Sequence, residues 1–211
     1  MTRPSPCFLS IGISNFILPL QNPELAQQKK MASRPALRNV DINKISGELF
    51  SLTYGALVVQ ILKDCENVEN VNTELDKIGY NIGIRLVEDF LSKTNSGRCN
   101  NFRDTAEKIQ SAFKLFLNAQ PVIASWNATS DEFSLVFDTH PLGEYVELPD
   151  HCAALKYANI LCGAIRGALE MVHIEVSCWF VQDTLKGSKV TELRVKYIRK
   201  IEDAVPPGDE D

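Results

Sequence analysis

From Ser46 onward the apolar residues recur at three and four over three successive stretches, switch to alternation, return once to the helical period, and end in two more alternating runs. Ser46 is placed to cap a helix reaching about Cys65, in which Leu49, Leu52, Thr53, Ala56, Val59 and Gln60 repeat at helical spacing. Phe50, Leu57, Val58 and Ile61 fill its other faces, so burial on most sides is expected, within its own domain or against a second subunit. After the polar bridge Glu66 to Asn70, a second helix is predicted from about Val71 to Ser92, with Leu75, Ile78, Ile82, Leu86 and Phe90 on one stripe. Gly79 and Gly83 interrupt it at about 1 kcal/mol each relative to alanine, which makes sense if another backbone packs close there. A polar turn at Asn95, Ser96, Gly97 and Arg98 leads through Cys99 into a third helix, about Asp104 to Ala119, carrying Ile109, Ala112, Phe113, Phe116 and Leu117.

Beyond Pro121, Phe133, Leu135 and Phe137 alternate with Glu132, Ser134 and Val136, which predicts a strand closed by His140-Pro141. A fourth helix is expected from about Ala154 to Val172, where Gly163 and Gly167 again stand four apart and invite a close neighbour. Ile174, Val176, Cys178 and Phe180 then alternate with Glu175, Ser177, Trp179 and Val181, and Thr191, Leu193, Val195 and Tyr197 with Glu192, Arg194 and Lys196, giving a closing hairpin of two long antiparallel strands. The implied fold class is α+β, an antiparallel sheet with helices packed on one face. One domain over residues 46–203 is expected between a flexible extension, 1–45, and an acidic flexible tail, 204–211, where Pro206-Pro207-Gly208 blocks regular structure.

Charge sharpens this picture. The net charge of −5 arises from the end of the chain, where Glu202, Asp203, Asp209, Glu210 and Asp211 face no base; without them acids and bases balance. A balanced body has no field to collect nucleic acid or an anionic membrane, so partners are expected to bind by shape and apolar contact. The apolar run Cys7 to Leu20 is too short to span a bilayer, and it lacks the basic leader and small-residue cleavage site of a signal peptide. Met31 opens a second plausible start.

The chemistry is sparse. Six cysteines are scattered without a CxxC pair or histidine at zinc-finger spacing, so neither a metal site nor a disulfide framework is expected, and a reducing compartment fits better. No phosphate-cradling loop, dinucleotide fingerprint, nucleophile elbow or HExxH occurs, and His140, His151 and His173 form no arrangement with a nucleophile, so the chain is expected not to be an enzyme. Cys162 and Cys178 read as small core residues. Cys99 differs, lying in a Gly-Arg-Cys turn before a helix, with Arg98 adjacent and Arg103 a turn on; cationic charge and helix N-terminal amides would favour its thiolate, although an ordinary turn cysteine is the other reading.

Several long runs resemble one family in unbroken order: GELFSLTYGALVVQILKD (Gly47 to Asp64), DKIGYNIGIRLVEDFL (Asp76 to Leu91), GRCNNFRDTAEKI (Gly97 to Ile109), DEFSLVFDTHPL (Asp131 to Leu142), NILCGAIRGALEMV (Asn159 to Val172) and FVQDTLKGSKVTELRVKYIRKIED (Phe180 to Asp203). Over about Gly47 to Asp203 the chain is similar to subunit 3 of the transport protein particle (TRAPP) tethering complex. The upstream extension and the Asn100-Asn101 pair depart from the family pattern. The resemblance implies the TRAPP small-subunit fold and pairing with related subunits in a multisubunit tether, cytoplasmic and peripheral on cis-Golgi and ER-derived membranes. The assembled particle would serve as exchange factor for a Rab GTPase of the early secretory pathway, with this subunit as scaffold. It also implies a palmitoyl chain in thioester linkage to Cys99, lying in a hydrophobic channel, with Arg98, Ala112 and Phe113 as its support and wall. No metal and no nucleic acid partner is implied. The alternative is a self-acylating or acyl-binding protein whose lipid is a membrane anchor or cargo.

Overall fold

The computed structural model describes residues 45–202. The expected flexible extension, apart from Ile45, and the expected acidic tail lie outside that range.

Helix α1, Gly47–Asp64, begins where the Ser46 hydroxyl accepts the Leu49 N–H, as its sequence foretells. Helix α2, Val68–Thr94, starts three residues earlier than expected because Asn67 caps it, its side chain accepting the Asn70 N–H at 2.8 Å. It stops at Asn95, whose left-handed backbone (φ 48°) ends the ladder. Helix α3, Phe102–Leu117, is likewise set by a cap, Asn101, and ends on Asn118 at φ 53°. Helix α4, Asn159–Glu170, starts five residues later than expected. The preceding stretch is held out of the helix by Asn72 of α2, which accepts the Lys156 N–H at 2.8 Å and donates to the Ala154 carbonyl at 3.2 Å.

The strands are β1, Val122–Ala124, β2, Glu132–Phe137, β3, Ile174–Gln182, and β4, Thr191–Lys200. They form one antiparallel sheet in the order β1-β2-β4-β3. Register places Phe133 and Cys178 either side of Val195, and Leu135 and Phe180 either side of Leu193, on one face. The opposite face carries Glu132, Ser134, Glu192 and Arg194, where Glu192 accepts from Ser134 at 2.6 Å and from Arg194 at 2.8 Å. Helix α4 covers β3, α3 lies beside β1, α2 packs against α4 and α1 against α2. The α+β class with helices on the apolar face is therefore what the chain adopts.

The α2–α4 crossing explains the glycines. A Cβ on Gly79 or Gly83 would drive into the Ile160 or Ala164 backbone, and one on Gly163 or Gly167 into the backbone of Asp76 or Tyr80. All four glycines are buried, so the two helices meet backbone to backbone. Arg166 of α4 pairs with Asp76 of α2 and lies 5.3 Å over the Tyr80 ring, tying the same crossing at its surface.

In α1 the side buried within the chain is Tyr54, Gly55 and Val58, while Leu49, Leu52 and Leu57 remain exposed. The expected stripe of α2 is corrected. In α2 the buried line runs Val71, Leu75, Gly79, Gly83, Phe90, and Ile82 faces out. Hydrophobic period finds where apolar side chains recur; it does not mark glycines that bury their backbone, which is where α2 meets its neighbour.

Candidate functional site

Cys99 lies in the non-helical link between α2 and α3, and both it and Arg98 are exposed. The link is shaped by reciprocal capping at the start of α3: Asn101 accepts the Asp104 N–H at 2.8 Å, and the Asp104 carboxylate accepts the Asn100 N–H at 3.0 Å. The helix-end amides expected to serve a Cys99 thiolate are thus partly taken by side chains of the cap. Arg103 also departs from its expected place beside Cys99: its guanidinium covers the Trp126 ring at 5.1 Å and donates to the Ser130 hydroxyl at 3.1 Å. Lys108, which the sequence did not single out, reaches back to this link and donates to Ser96 at 3.2 Å.

Along α3 the inward side chains are Thr105, Ala106, Ile109 and Phe113, and the Phe113 ring meets Phe137 of β2 edge-on at 5.1 Å. Ala112 is half-buried beside Phe113, about 15 Å along the helix from Phe102. Phe113 and Ala112 therefore do occupy the helix that leads away from Cys99, one in the core and one at its flank. Open hollows of about 490 and 350 Å³ lie elsewhere, along α2 at Ile78, Asn81, Ile82, Ile84 and Arg85, and at Lys77, Tyr80, Asn81 and Arg166. Neither is lined by Cys99, Ala112 or Phe113.

Burial separates Cys162 and Cys178 from Cys99. It pushes the Cys162 thiol up to about 12 and the Cys178 thiol well above its usual range, so both stay protonated and unreactive, as small core residues do. Among the described residues, no group of three or more His, Cys, Asp or Glu is arranged to hold a metal ion. No described helix is long and apolar enough to cross a membrane.

Residues 50–196 match the family described as Transport protein particle (TRAPP) component. The chain belongs to this family. It is 52% identical over 171 residues to the transport protein particle subunit bet3 of Schizosaccharomyces pombe, covering 80% of this chain and 93% of that protein. It is 48% identical over 169 residues to the trafficking protein particle complex subunit 3 of Dictyostelium discoideum, 79% of this chain and 91% of that protein. Among solved structures, the trafficking protein particle complex subunit 3 from Naegleria fowleri, covalently bound to palmitic acid, superposes with a TM-score of 0.72 at 43% identity, over 74% of this chain and 98% of that chain. The resemblance to TRAPP subunit 3 is thereby borne out, and with it the fold.

This TRAPP domain also contains a polar pair that sequence spacing did not reveal. His140, after β2, and Asp183, after β3, are both buried, with Nε2 3.6 Å from Oδ1. The Leu142 N–H donates to His140 Nδ1 at 3.2 Å, which keeps that nitrogen unprotonated, and the Tyr157 ring lies beside the imidazole. Burial lowers the His140 pKa, outweighing the opposing pull of Asp183. A histidine whose folded pKa is depressed stabilises the fold above its unfolded pKa, and that stability is lost as pH falls below it. Melting temperature is accordingly expected to drop as pH falls below roughly 6.5, and more shallowly in His140→Asn, which keeps an acceptor for Leu142 but cannot titrate. Equal slopes for the two proteins would place the titration elsewhere.

Proposed function

We propose that this chain is a non-catalytic scaffold subunit of a TRAPP vesicle-tethering complex in ER-to-Golgi transport, contributing to an assembly that exchanges nucleotide on a Rab GTPase. On this reading it is cytoplasmic and peripheral on cis-Golgi and ER-derived membranes. The observation that carries the scaffold role is the outward apolar side of α1 and α2, where Leu49 is 59%, Leu57 39% and Ile82 40% exposed in the single chain. Exposed apolar side chains at this density are what a protein interface covers, and two helices of about 27 and 40 Å provide the length for one of standard size. The fitting partner is a related TRAPP subunit.

The expressed chain is expected to form dimers, alone or with such a subunit. Leu57→Glu or Ile82→Glu should convert them to monomer on analytical ultracentrifugation without lowering the monomer's own melting temperature, because both side chains already face out. A monodisperse monomer at high micromolar concentration, unaffected by either change, defeats this reading.

The same proposal places a palmitoyl chain on Cys99. Its support is the Gly97-Arg98-Cys99 motif, the exposure of this thiol beside an amphipathic helix, and the covalently bound palmitic acid of the Naegleria relative. Intact-protein mass with and without hydroxylamine tests it: one labile acyl chain is expected, lost in Cys99→Ser. Detergent-free fractionation separates a core lipid, which leaves the isolated subunit soluble, from an anchor, which carries it to membranes.

A further inference from the structure

Three residues beyond Cys99, the first residue of α3 closes the apolar layer between that helix and the sheet. The Phe102 ring packs against Phe133 of β2 at 5.4 Å, Tyr197 of β4 at 5.5 Å and Trp126 of the β1–β2 loop at 6.3 Å. Trp126 lies on Phe133 at 4.9 Å and is pinned from outside by Arg103, itself held by Ser130. Phe133 is fully buried, whereas Phe102, Trp126 and Tyr197 are half-buried, so the cluster runs from the core to the surface. Beyond it the layer continues past Ala106 and Ile109 to the Phe113–Phe137 contact. From Phe102 to Phe113 the helix advances about 16 Å, close to one leaflet of a hydrocarbon core about 30 Å thick, and so to one long acyl chain.

We propose that Phe102 controls entry of the acyl chain, filling the Cys99 end of this layer before acylation and turning out of the cluster as the chain goes in. The proposal rests on acylation of Cys99. Phe102 touches all three of the other rings, so its position decides whether the layer is closed, and its backbone position gives it a freedom that the others lack. Phe133 is locked in the core of the sheet, Trp126 is clamped by Arg103, and Tyr197 belongs to the long strand β4. Phe102 stands at the first position of its helix, where no preceding turn blocks χ1, so rotamers that are closed to interior helix residues are open to it. The reaction itself needs only an acyl-CoA thioester. The Cys99 sulfur bonds to the acyl carbonyl carbon, the bond from that carbon to the CoA sulfur breaks, and coenzyme A leaves as a thiolate that takes up the proton Cys99 gave up. Phe102 makes no bond in this step; it determines whether the acyl chain can enter the layer and so bring its carbonyl carbon to the Cys99 sulfur.

The test compares the wild-type chain with Phe102→Leu, Phe102→Ala and Phe102→Trp, incubated with palmitoyl-CoA and followed by the hydroxylamine-labile mass on the Cys99 peptide. Maleimide labelling of the same peptide reports thiol accessibility alone. Leu and Ala are expected to speed acylation at least about threefold and Trp to slow it by a similar factor, with maleimide rates unchanged. Should Ala fail to fold, Leu, which keeps most of the apolar volume, still decides. Equal acylation rates across the series, or acylation and maleimide rates that move together, would overturn the role of Phe102 while leaving Cys99 acylation in place. A wild-type chain that takes no labile acyl group on Cys99 removes the acylation reading and this inference with it.

Discussion

Gly163→Ala is expected to lower the melting temperature by roughly 6–12 °C, or to leave the chain insoluble. Helix propensity alone gives the opposite sign, since alanine is favoured over glycine in a helix interior by about 1 kcal/mol. Packing overrides it. A Cβ at Gly163 would stand 2.8 Å from the Tyr80 amide nitrogen and 2.9 Å from the Asp76 carbonyl carbon, and closer still to the Asp76 oxygen. These are backbone atoms of a facing helix, so no side chain can rotate aside; α2 and α4 must separate along their whole contact. Overpacking costs 1–3 kcal/mol or more, and about 3 kcal/mol in a domain of this size corresponds to the stated shift. Gly79→Ala meets the Ile160 backbone in the same way and should behave alike. Gly47→Ala is the control: nothing lies within 4 Å of its added Cβ, so its melting temperature should stay put or rise slightly. Thermal melts in which Gly163→Ala and Gly47→Ala coincide would show that the helices do not meet through these glycines.

The second large effect concerns Cys99 and Ala112 together. If a palmitoyl chain on Cys99 runs inward along α3, it removes about fifteen methylenes from water, each contributing about 0.8 kcal/mol, an upper bound because the unacylated layer closes in part. Cys99→Ser loses that burial and leaves apolar space to be filled by collapse, which costs stability in proportion to what remains open. Ala112 sits at the flank of the core beside Phe113, so Ala112→Leu would place protein where the chain passes, blocking acylation while restoring some of the packing. Both variants should lack the hydroxylamine-labile mass, and Cys99→Ser should melt lower than Ala112→Leu and lower than the acylated wild type. Full acylation of Ala112→Leu, or a Cys99→Ser protein melting with the wild type, would mean that the lipid is not buried there.

Much of this was legible in local pattern. Ser46 and the apolar spacing after it marked α1, the paired glycines of α2 and α4 announced a close backbone neighbour, and the alternating runs at Ile174 and Thr191 announced the closing hairpin. The long runs from Gly47 to Asp203 carried the family itself, and with it a candidate thiol at Cys99. Each of these depends on residues within a few positions of one another or on wording that can be read along the chain.

What escaped depends on distance. The ring packing of Phe102 joins α3 to residues on β2, β4 and a loop, and the His140–Asp183 pair joins the ends of two strands that are not neighbours in the sheet. The starts of α2 and α3 were missed because caps at Asn67 and Asn101 act through one hydrogen bond each, which composition does not register. The side of α2 that remains exposed was misassigned for a related reason. Periodicity shows that a helix is apolar all round, but only the packing of α2 on α4, and of α1 on α2 and Tyr157, determines which side the chain buries itself and which it leaves for a partner.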